Sequence, residues 1–393
     1  MSCIGILGGA FDPVHEVHIR MAEKAMEYRK ISKMLMVLED LPLYKTCSAP
    51  ADDRWKMLVA ECSRHGHLVP ARHIIKPGEV QACAYHLLLR LHEDYPKAHF
   101  CYIIGADSLV SFRTWRNWEK LLPLCSFLVF PRAGVSDSDL HQEKKFLKKL
   151  GMDVKIVSET AEALSSTEIR RTFSDSSVPD GISVPTAEFC FAKGLYGLNR
   201  RIPRSEAWFD RLFADLKPKR YAHSLSVAFE ARLLAERFGI DPQKAEEAGI
   251  LHDCAKSVPL EIMRRLAIDN RLTDDPEILS NTALLHSYAG ALIAEKEYGM
   301  RDPEILDAIR YHNTGMPGMS RLAMCINLAD TIEPCRPDFP SIHAARAMAE
   351  TSLEKALLVS LSGTAMHVRE NGEPLHHHTS ETIQWLKTLP GIS

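Results

Sequence analysis

The sequence lacks several features that would assign it to a class before any motif is considered. It has ten cysteines, but no two stand three positions apart, so a Cys-x-x-Cys zinc or redox motif is missing. Lys and Arg total 48 against 51 Asp and Glu, without the basic excess of proteins that track nucleic acid. No apolar run approaches the roughly 20 residues that span a bilayer, and the first residues do not read as a signal peptide. We therefore expect a cytoplasmic protein with reduced cysteines, and neither a nucleic-acid nor a membrane partner.

The length and composition fit a globular protein of two domains. With 46% hydrophobic and 25% charged residues, the chain can bury sizeable cores, and 393 residues exceed the usual length of one domain. Residues 199–204 form a polar, charged stretch with a proline, which is typical of a linker. We predict one domain over residues 1–198 and a second over residues 205–393, joined by residues 199–204.

The two predicted domains differ in their patterns. In the first, helical patterns alternate with short apolar runs, which are Cys3–Leu7, Lys33–Leu38, His99–Ile104, Leu124–Phe130 and Asp153–Val157. This alternation predicts an α/β domain with a parallel sheet. In the second, helical patterns follow one another without strands, over Ala222–Phe238, Pro242–Ala255, Asn281–Glu297, Pro303–Tyr311, Arg321–Ile332 and Ile342–Leu361. This succession predicts an all-α domain.

Residues Gly8–His18, with the sequence GGAFDPVHEVH, follow the first strand and open a helix. Glycines let a phosphate approach the backbone closely, and a helix N-terminus presents free N–H groups and the positive end of its dipole. His15 and His18 are spaced to share one helix face, where imidazoles can stabilise negative charge. The stretch predicts a nucleotide-phosphate site, and it resembles the nucleotidyltransferase signature GGxFDPxHxxH.

A second stretch, Leu164–Arg170 with the sequence LSSTEIR, strengthens this resemblance. A serine or threonine here can cap a helix, and Arg170 on its first turns can reach an anion. The stretch resembles the ISSTxIR motif of nicotinate-nucleotide adenylyltransferases, and further family segments follow in order, so the resemblance covers about residues 3–198. One position departs from the family. Val17 stands where glycine is usual, and its side chain is expected to narrow the ATP pocket or alter the packing.

The resemblance implies a Rossmann-like nucleotidyltransferase domain that transfers AMP from ATP to nicotinate mononucleotide, giving deamido-NAD and pyrophosphate. His15, His18 and Arg170 would act on the triphosphate, with Mg²⁺ carried on the ATP. The full set implied for ATP is Gly8, Gly9, Phe11, His15, His18, Asp107, Ser165, Ser166 and Arg170. Lys45 and Trp115 would line the side of the pyridine nucleotide.

The predicted all-α half carries six histidines and aspartates in an ordered series, which are His223, His252, Asp253, His286, His312 and Asp330. They lie in or directly after separate predicted helices, with His252 and Asp253 together inside one of them. Imidazoles and carboxylates on facing helices are how helix bundles hold metal ions, and Asp253 can bridge two of them. A set this rich in nitrogen suits iron or another first-row transition metal better than Mg²⁺.

Three local sequences identify a second resemblance. Ile250–Lys256 (ILHDCAK), Ile309–Gly315 (IRYHNTG) and Leu328–Pro334 (LADTIEP) resemble HD-domain metal-dependent phosphohydrolases of the symmetrical diadenosine-tetraphosphate hydrolase type. The resemblance covers about residues 205–390.

This second resemblance implies a dinuclear site with Asp253 as the catalytic, bridging residue. His223, His252, Asp253 and Asp330 would hold one transition-metal ion, and His286 and His312 would hold the second together with Asp253. A metal-bridging hydroxide would attack a central phosphorus of diadenosine tetraphosphate and release two ADP. The candidates for binding the polyphosphate are Lys256 and Arg310.

Two alternatives stay open for the second half. It hydrolyses another nucleotide or phosphoester, or it is a metal-stabilised regulatory module. A run of three histidines, His376–His378, precedes the helical pattern Ser380–Leu386. We interpret the run as the lead-in to that helix rather than as a metal site.

Overall fold

The protein is described from a computed structural model, which covers residues 3–42, 46–73, 83–131, 134–158, 165–174, 177–372 and 374–392. The chain divides into two compact units. The first comprises residues 1–187 and 195–198, and the second comprises residues 188–194 and 199–393. The domain limits predicted from the sequence differ from this division at residues 188–194, and as functional limits they stay a prediction.

A six-stranded, entirely parallel sheet forms the centre of the first unit. Its strands are β1 (Cys3–Gly9), β2 (Lys33–Glu39), β3 (Leu68–His73), β4 (His99–Gly105), β5 (Ser126–Phe130) and β6 (Val154–Ile156). The order across the sheet is β3-β2-β1-β4-β5-β6, which confirms the predicted α/β class. The order reverses between β1 and β4, and ligands of open parallel sheets bind at the carboxyl ends of the strands at such a point.

Strand β3 was not predicted from the sequence. It contains Pro70 and two basic residues, so it lacks the β-branched, alternating pattern of a strand. Pro70 is tolerated because β3 lies at the edge of the sheet and pairs only with β2 among the strands described.

Helices connect the strands of the first unit. They are α1 (Glu16–Arg29), α2 (Ala51–Cys62), α3 (Ala84–Asp94), α4 (Ala106–Val110), α5 (Trp118–Leu121), α6 (Asp137–Lys149) and α7 (Ser166–Thr172), with a 3₁₀ turn at Phe112–Thr114. The next helix, α8 (Val184–Lys193), spans the division between the units. Strands β4 and β5 supply much of a buried core that includes Phe100, Phe127 and Val129.

The described part of the second unit is helical throughout, as predicted. Its helices are α9 (Ser205–Asp215), α10 (Pro218–Phe238), α11 (Pro242–Leu251), α12 (Leu260–Asp269), α13 (Pro276–Ser280), α14 (Thr282–Glu297), α15 (Pro303–Tyr311), α16 (Arg321–Ile332), α17 (Pro340–Met348), α18 (Leu353–Glu370) and α19 (His377–Thr388). Proline begins several of them, where its missing N–H group costs nothing. No helix in the described residues is long and apolar enough to cross a membrane.

Helices α10 and α11 approach each other closely because Gly249 has no side chain. A Cβ atom at this position would lie 2.6 Å from the Cα atom of Ala228, so any larger residue would push the helices apart. His223 lies on α10 and His252 follows α11 directly. The close contact therefore places two of the predicted metal ligands near each other.

Three predicted helices need correction. The pattern over Pro242–Ala255 ends as a helix at Leu251, so His252 and Asp253 lie in the following turn. The pattern over Ile342–Leu361 is two helices, α17 and α18, separated at residues 349–352. The helix predicted at Ser380–Leu386 begins earlier, at His377, with His376 as its N-cap residue.

Candidate active sites

A cavity of about 730 Å³ lies at the carboxyl ends of the strands in the first unit. It is lined by most of the residues predicted to bind nucleotide, namely Gly8, Gly9, Phe11, His18, Asp107, Trp115, Ser166 and Arg170. Among the described residues His15 and Ser165 do not line it, and Lys45 lies outside the residues that the structure describes. The cavity wall also includes Glu39, Cys47 and Tyr102, which were not predicted from the sequence. Burial raises the pKa of Tyr102, so its hydroxyl stays protonated and can donate to a ligand.

The two histidines of the first motif stack on each other at the start of α1. Their ring centroids are 3.8 Å apart, and the backbone N–H of His15 donates to Nδ1 of His18 over 3.3 Å. His15 is 5% exposed, whereas His18 reaches the cavity. His18 is therefore placed to contact a ligand, and His15 to orient His18.

Asp12 fixes the loop between β1 and α1. Its carboxylate accepts hydrogen bonds from the backbone N–H groups of Ser48 and Ala49, at 2.7 and 3.0 Å, and from the hydroxyl of Tyr196 at 3.0 Å. Nη1 of Arg170 donates to the carbonyl oxygen of Asp12 over 2.8 Å. Arg170 thus joins the second motif to the first and also lines the cavity.

Phe11 adds a strained backbone to the same loop. Its φ angle is +45°, in the left-handed region that side chains with a Cβ atom rarely adopt. Conformations of this kind concentrate at ligand-binding loops, where the surrounding structure holds them in place.

Arg54, which is only 1% exposed, holds the loop between β1 and α1 in place through its guanidinium group. Nη1 donates to the carbonyl oxygens of Ala10 and Glu39, at 2.7 and 3.0 Å. Nη2 donates to the carbonyl oxygen of Asp40 at 2.6 Å, and Nε to that of Ala49 at 3.2 Å. One guanidinium group therefore ties the first motif, the end of β2 and the start of α2 together.

The cap predicted at the second motif is present. The Oγ atom of Ser165 accepts from the backbone N–H of Glu168 at 3.2 Å, and the Glu168 carboxylate accepts from the N–H of Ser165 at 2.9 Å. This capping box occupies Ser165, whereas Ser166 donates to the carbonyl oxygen of Pro13 at 3.3 Å and lines the cavity.

In the second unit, the fold brings all six predicted metal ligands together. Nε2 of His286 and Nε2 of His312 lie 3.1 and 3.8 Å from Oδ1 of Asp253, while Nε2 of His252 lies 3.4 Å from its Oδ2. Nε2 of His223 lies 2.9 Å from Oδ1 of Asp330. Asp253 belongs both to a group with His223 and His252 and to a group with His286 and His312, as the bridging role requires.

Hydrogen bonds on the outer side of the rings orient three of these histidines. Nδ1 of His252 donates to the carbonyl oxygen of Gly249 at 2.7 Å, and Nδ1 of His312 to that of Ile309 at 2.8 Å. Nδ1 of His223 lies 3.2 Å from Oε1 of Glu333. Each ring therefore turns Nε2 and its lone pair inward, as metal-binding histidines do.

The inward-facing atoms fit metal ions in their chemistry as well as their position. Nε2 of His252 and Oδ1 of Asp253 are buried, and their contacts at 3.4 and 3.1 Å with neighbouring ligands lack hydrogen-bond geometry within the described residues. Nε2 of His286 and Nε2 of His312 face each other over 3.1 Å, which two lone pairs tolerate only with a proton or cation between them. Nitrogen and carboxylate ligands of this kind suit first-row transition metals.

The pKa values of His312 and Asp253 match metal binding, whereas Asp330 and Glu333 raise the pKa of His223 against the effect of its burial. Burial, together with His252 and His286, lowers the pKa of His312 to about 3. Burial by itself would raise the pKa of Asp253, but His252 and His286 hold it well below the usual range. The imidazole of His312 is therefore neutral and Asp253 is ionised near pH 7, which are the forms that bind metals.

Three cationic side chains adjoin this cluster. Nη1 of Arg220 lies 2.6 Å from Oδ2 of Asp253, and Nη2 of Arg336 lies 2.8 Å from Oδ1 of Asp330. Nζ of Lys256 lies 3.1 Å from Nε2 of His286. Burial lowers the pKa of Lys256, and the positive charges of Arg220 and Arg336 lower it further. The negative charge of Asp253 raises it, but by less.

The two residues predicted to bind polyphosphate lie in different surroundings. Lys256 lies among the ligands, whereas the ion pair of Arg310 in the described part of the chain is with Asp307 at 2.9 Å. Arg220, Arg336 and Glu333 were missed. Glu333 was visible in the sequence only as part of the LADTIEP motif.

Comparisons with known proteins agree with this division. The family described as cytidylyltransferase-like matches residues 6–172, and the family described as HD domain matches residues 220–335. A Bacillus subtilis protein named "Bis(5'-nucleosyl)-tetraphosphatase, symmetrical" is 41% identical over 173 residues, covering 44% of this chain and 91% of that protein. A Corynebacterium kroppenstedtii protein named "Probable nicotinate-nucleotide adenylyltransferase" is 30% identical over 212 residues, covering 52% of this chain and 96% of that protein.

A third relative spans both halves. The Mycoplasma pneumoniae protein named "Probable nicotinate-nucleotide adenylyltransferase/Ap4A hydrolase" is 28% identical over 333 residues, which are 84% of this chain and 88% of that protein. The chain therefore belongs to two enzyme families at once, with a first half from the nicotinate-nucleotide adenylyltransferases and a second half from the HD-domain symmetrical bis(5'-nucleosyl)-tetraphosphatases.

Proposed function

We propose that the first unit transfers AMP from ATP to nicotinate mononucleotide. The observation that carries the proposal is that the GGxFDPxHxxH and SSTxIR motifs meet at one cavity, where Arg170 binds the loop of the first motif. The cavity also contains Asp107 and Trp115, the residues expected at the adenosine and pyridine sides.

The proposed reaction needs alignment and charge stabilisation rather than a covalent enzyme intermediate. A phosphate oxygen of the mononucleotide attacks the α-phosphorus of ATP, and the bond to pyrophosphate breaks on the opposite side. His18 and Arg170 lie where they can hold the triphosphate and the charge that develops on it. Mg²⁺ would arrive on the ATP.

The test is product analysis with the full-length protein, ATP and either nicotinate or nicotinamide mononucleotide. Deamido-NAD and pyrophosphate in equal amounts are expected from the nicotinate form. A rate that is higher with the nicotinamide form would change the assigned substrate, and no dinucleotide from either form would reject the proposal.

We infer that the second unit hydrolyses diadenosine tetraphosphate to two ADP at a dinuclear centre. The carrying observation is the pair of ligand groups that share Asp253, with three cations beside them. When bound, the two metal ions would supply a hydroxide nucleophile and offset the charge of the phosphates.

The cations suit a polyphosphate chain. Arg220 and Lys256 lie at Asp253, in the middle of the site, whereas Arg336 lies at Asp330. With the carboxylate charges taken up by metal ions, these side chains would be available to phosphate oxygens on either side of the cleaved bond. A compact monophosphate would use fewer of these contacts than a tetraphosphate.

Product identity decides between this proposal and its alternatives. Symmetrical cleavage gives ADP alone, whereas asymmetrical cleavage gives AMP and ATP. A faster reaction with a nucleoside monophosphate would reassign the substrate. The absence of hydrolysis for every nucleotide, in protein that contains its metals, would favour a regulatory module.

A further inference from the structure

The three consecutive histidines His376–His378 form a compact cluster that the HD site does not use. His376 is the N-cap residue of α19, and the other two are its first residues. In this turn the backbone lets all three rings converge, with centroids between 4.3 and 4.8 Å apart. One ring nitrogen from each lies within 4.8 Å of the others.

Asp275, the N-cap residue of α13, lies beside this cluster. Its Oδ1 accepts the backbone N–H groups of Glu277 and Ile278, at 2.8 and 3.4 Å, and so caps α13. Its Oδ2 instead faces the histidines, 3.2 Å from Nε2 of His376 and 3.7 Å from Nδ1 of His377. One carboxylate oxygen of Asp275 therefore caps α13, and the other contacts the imidazoles.

The three histidines differ in their exposure and in the hydrogen bonds that their ring nitrogens already form. His376 is 4% exposed, its Nδ1 accepts from the N–H of His378, and its Nε2 donates to Asp275. The side chain of His377 is 53% exposed. Nδ1 of His378 lies 3.4 Å from the hydroxyl of Tyr288. His376 thus anchors Asp275, while the side chain of His377 is open to solvent and that of His378 is half-buried.

Contrary to the interpretation of this run from the sequence alone, we propose that Asp275, His377 and His378 bind one divalent transition-metal ion of the Zn²⁺ type, with His376 orienting Asp275. Two imidazoles and one carboxylate, with water as a fourth ligand, are a common donor set for Zn²⁺. The hydrogen bond from His376 to the ligating carboxylate is the outer contact that such sites need. The negative charge of Asp275 offsets the positive ends of the two helices that begin here.

The ion would connect the start of α19 to the start of α13. The same region borders the HD site, because Tyr288 lies two residues after His286 and packs edge-on against Tyr311. The proposed ion would hold the last helix against α14, the helix that carries His286.

The test counts metal ions in the full-length protein. Protein stripped with a chelator is reloaded with Zn²⁺, desalted and measured by mass spectrometry of the metal. The Asp253→Asn variant, whose HD site is impaired, is expected to retain one tightly bound Zn²⁺, and the further changes His377→Ala and His378→Ala should remove it. The matched control adds His343→Ala and His367→Ala, which change two exposed histidines elsewhere.

A second variant separates metal binding from folding. Asp275→Asn keeps an N-cap residue on α13 but removes the charged oxygen, so Zn²⁺ affinity at this site should fall about tenfold or more while the metal-free protein unfolds at the same temperature. Hydrolysis by the otherwise native protein should survive the His377→Ala and His378→Ala changes. An equal zinc count with and without these two histidines would overturn the proposal.

Discussion

The two sites differ in where their polar groups find partners. In the first unit, Asp12 and Arg54 satisfy their hydrogen-bonding groups on the backbone of the same unit. In the second, Nε2 of His252 and Oδ1 of Asp253 are buried, and their contacts with neighbouring ligands lack hydrogen-bond geometry in the described residues. The polar groups that build the first site are thus satisfied by the protein itself, whereas those of the second site need bound metal ions as partners.

This difference explains how one chain can handle phosphates in two ways. A cavity built from backbone and a few cations can align two nucleotides for transfer. Hydrolysis instead needs water made nucleophilic, which metal ions at a carboxylate-imidazole centre provide. Each unit has the kind of site that its proposed reaction requires.

The largest difference between the two sites is expected when the carboxylate shared by both ligand groups is removed. In Asp253→Asn, both ligand groups lose a charged oxygen, so we expect metal content to fall and hydrolysis to drop to the level of chelator-treated wild type. Adenylyl transfer by the same preparation should not change. Both activities can be followed by chromatography of the nucleotides. Retained hydrolysis would mean that the HD cluster is not catalytic.

The corresponding change in the first unit should have a smaller effect. Arg170→Met removes a cation from the cavity and a hydrogen bond to the Asp12 carbonyl, and transfer should fall about 10²–10³-fold. Hydrolysis should be unaffected, because the change lies in the other unit. The control is Arg171→Met, which removes the neighbouring exposed arginine. Equal losses in both variants would show that Arg170 has no special role.

The sequence predicted the ligands of the second site better than their surroundings. Histidine and aspartate in an ordered series are unusual enough to stand out, so six candidate ligands could be named, and the structure brings them together. Arg220, Arg336 and Glu333 could not, because charged residues at helix ends are usually solvated and their spacing carries no signal. Their function depends on which helices face each other, and only the tertiary structure shows this.

The first unit shows the same limit. The motif residues were visible, but Arg54 acts through four carbonyl oxygens from distant segments, and backbone atoms have no pattern in a sequence. Strand β3 was missed because an edge strand tolerates proline and charge. The position of His252 just beyond α11 was missed because the helical periodicity continues through the turn.

A third prediction concerns the outer contact of His223. Replacing Glu333 with glutamine keeps the size of the side chain but removes the charge beside Nδ1, and metal affinity should fall about 10–100-fold. Titration against a competing chelator measures this directly. Glu350→Gln, at an exposed glutamate, is the control. An unchanged affinity would show that the geometry of the ring, rather than Glu333, fixes its orientation.

The smallest effect on activity is expected at Val17, where the family usually has glycine. Val17 is 5% exposed and does not line the cavity among the described residues, so its side chain packs into the first unit instead of narrowing the ATP pocket. Val17→Gly should leave the transfer rate and the KM for ATP unchanged. It should lower the free energy of unfolding of the first unit by about 2 kcal/mol, because buried apolar surface is lost and glycine weakens the helix. Denaturant titration measures the stability, and steady-state assays measure the transfer. A lower KM for ATP in the variant would show that Val17 shapes the pocket. An unchanged KM with reduced stability would show that the first site tolerates either residue at this position, because Asp12 and Arg54 set the shape of the site.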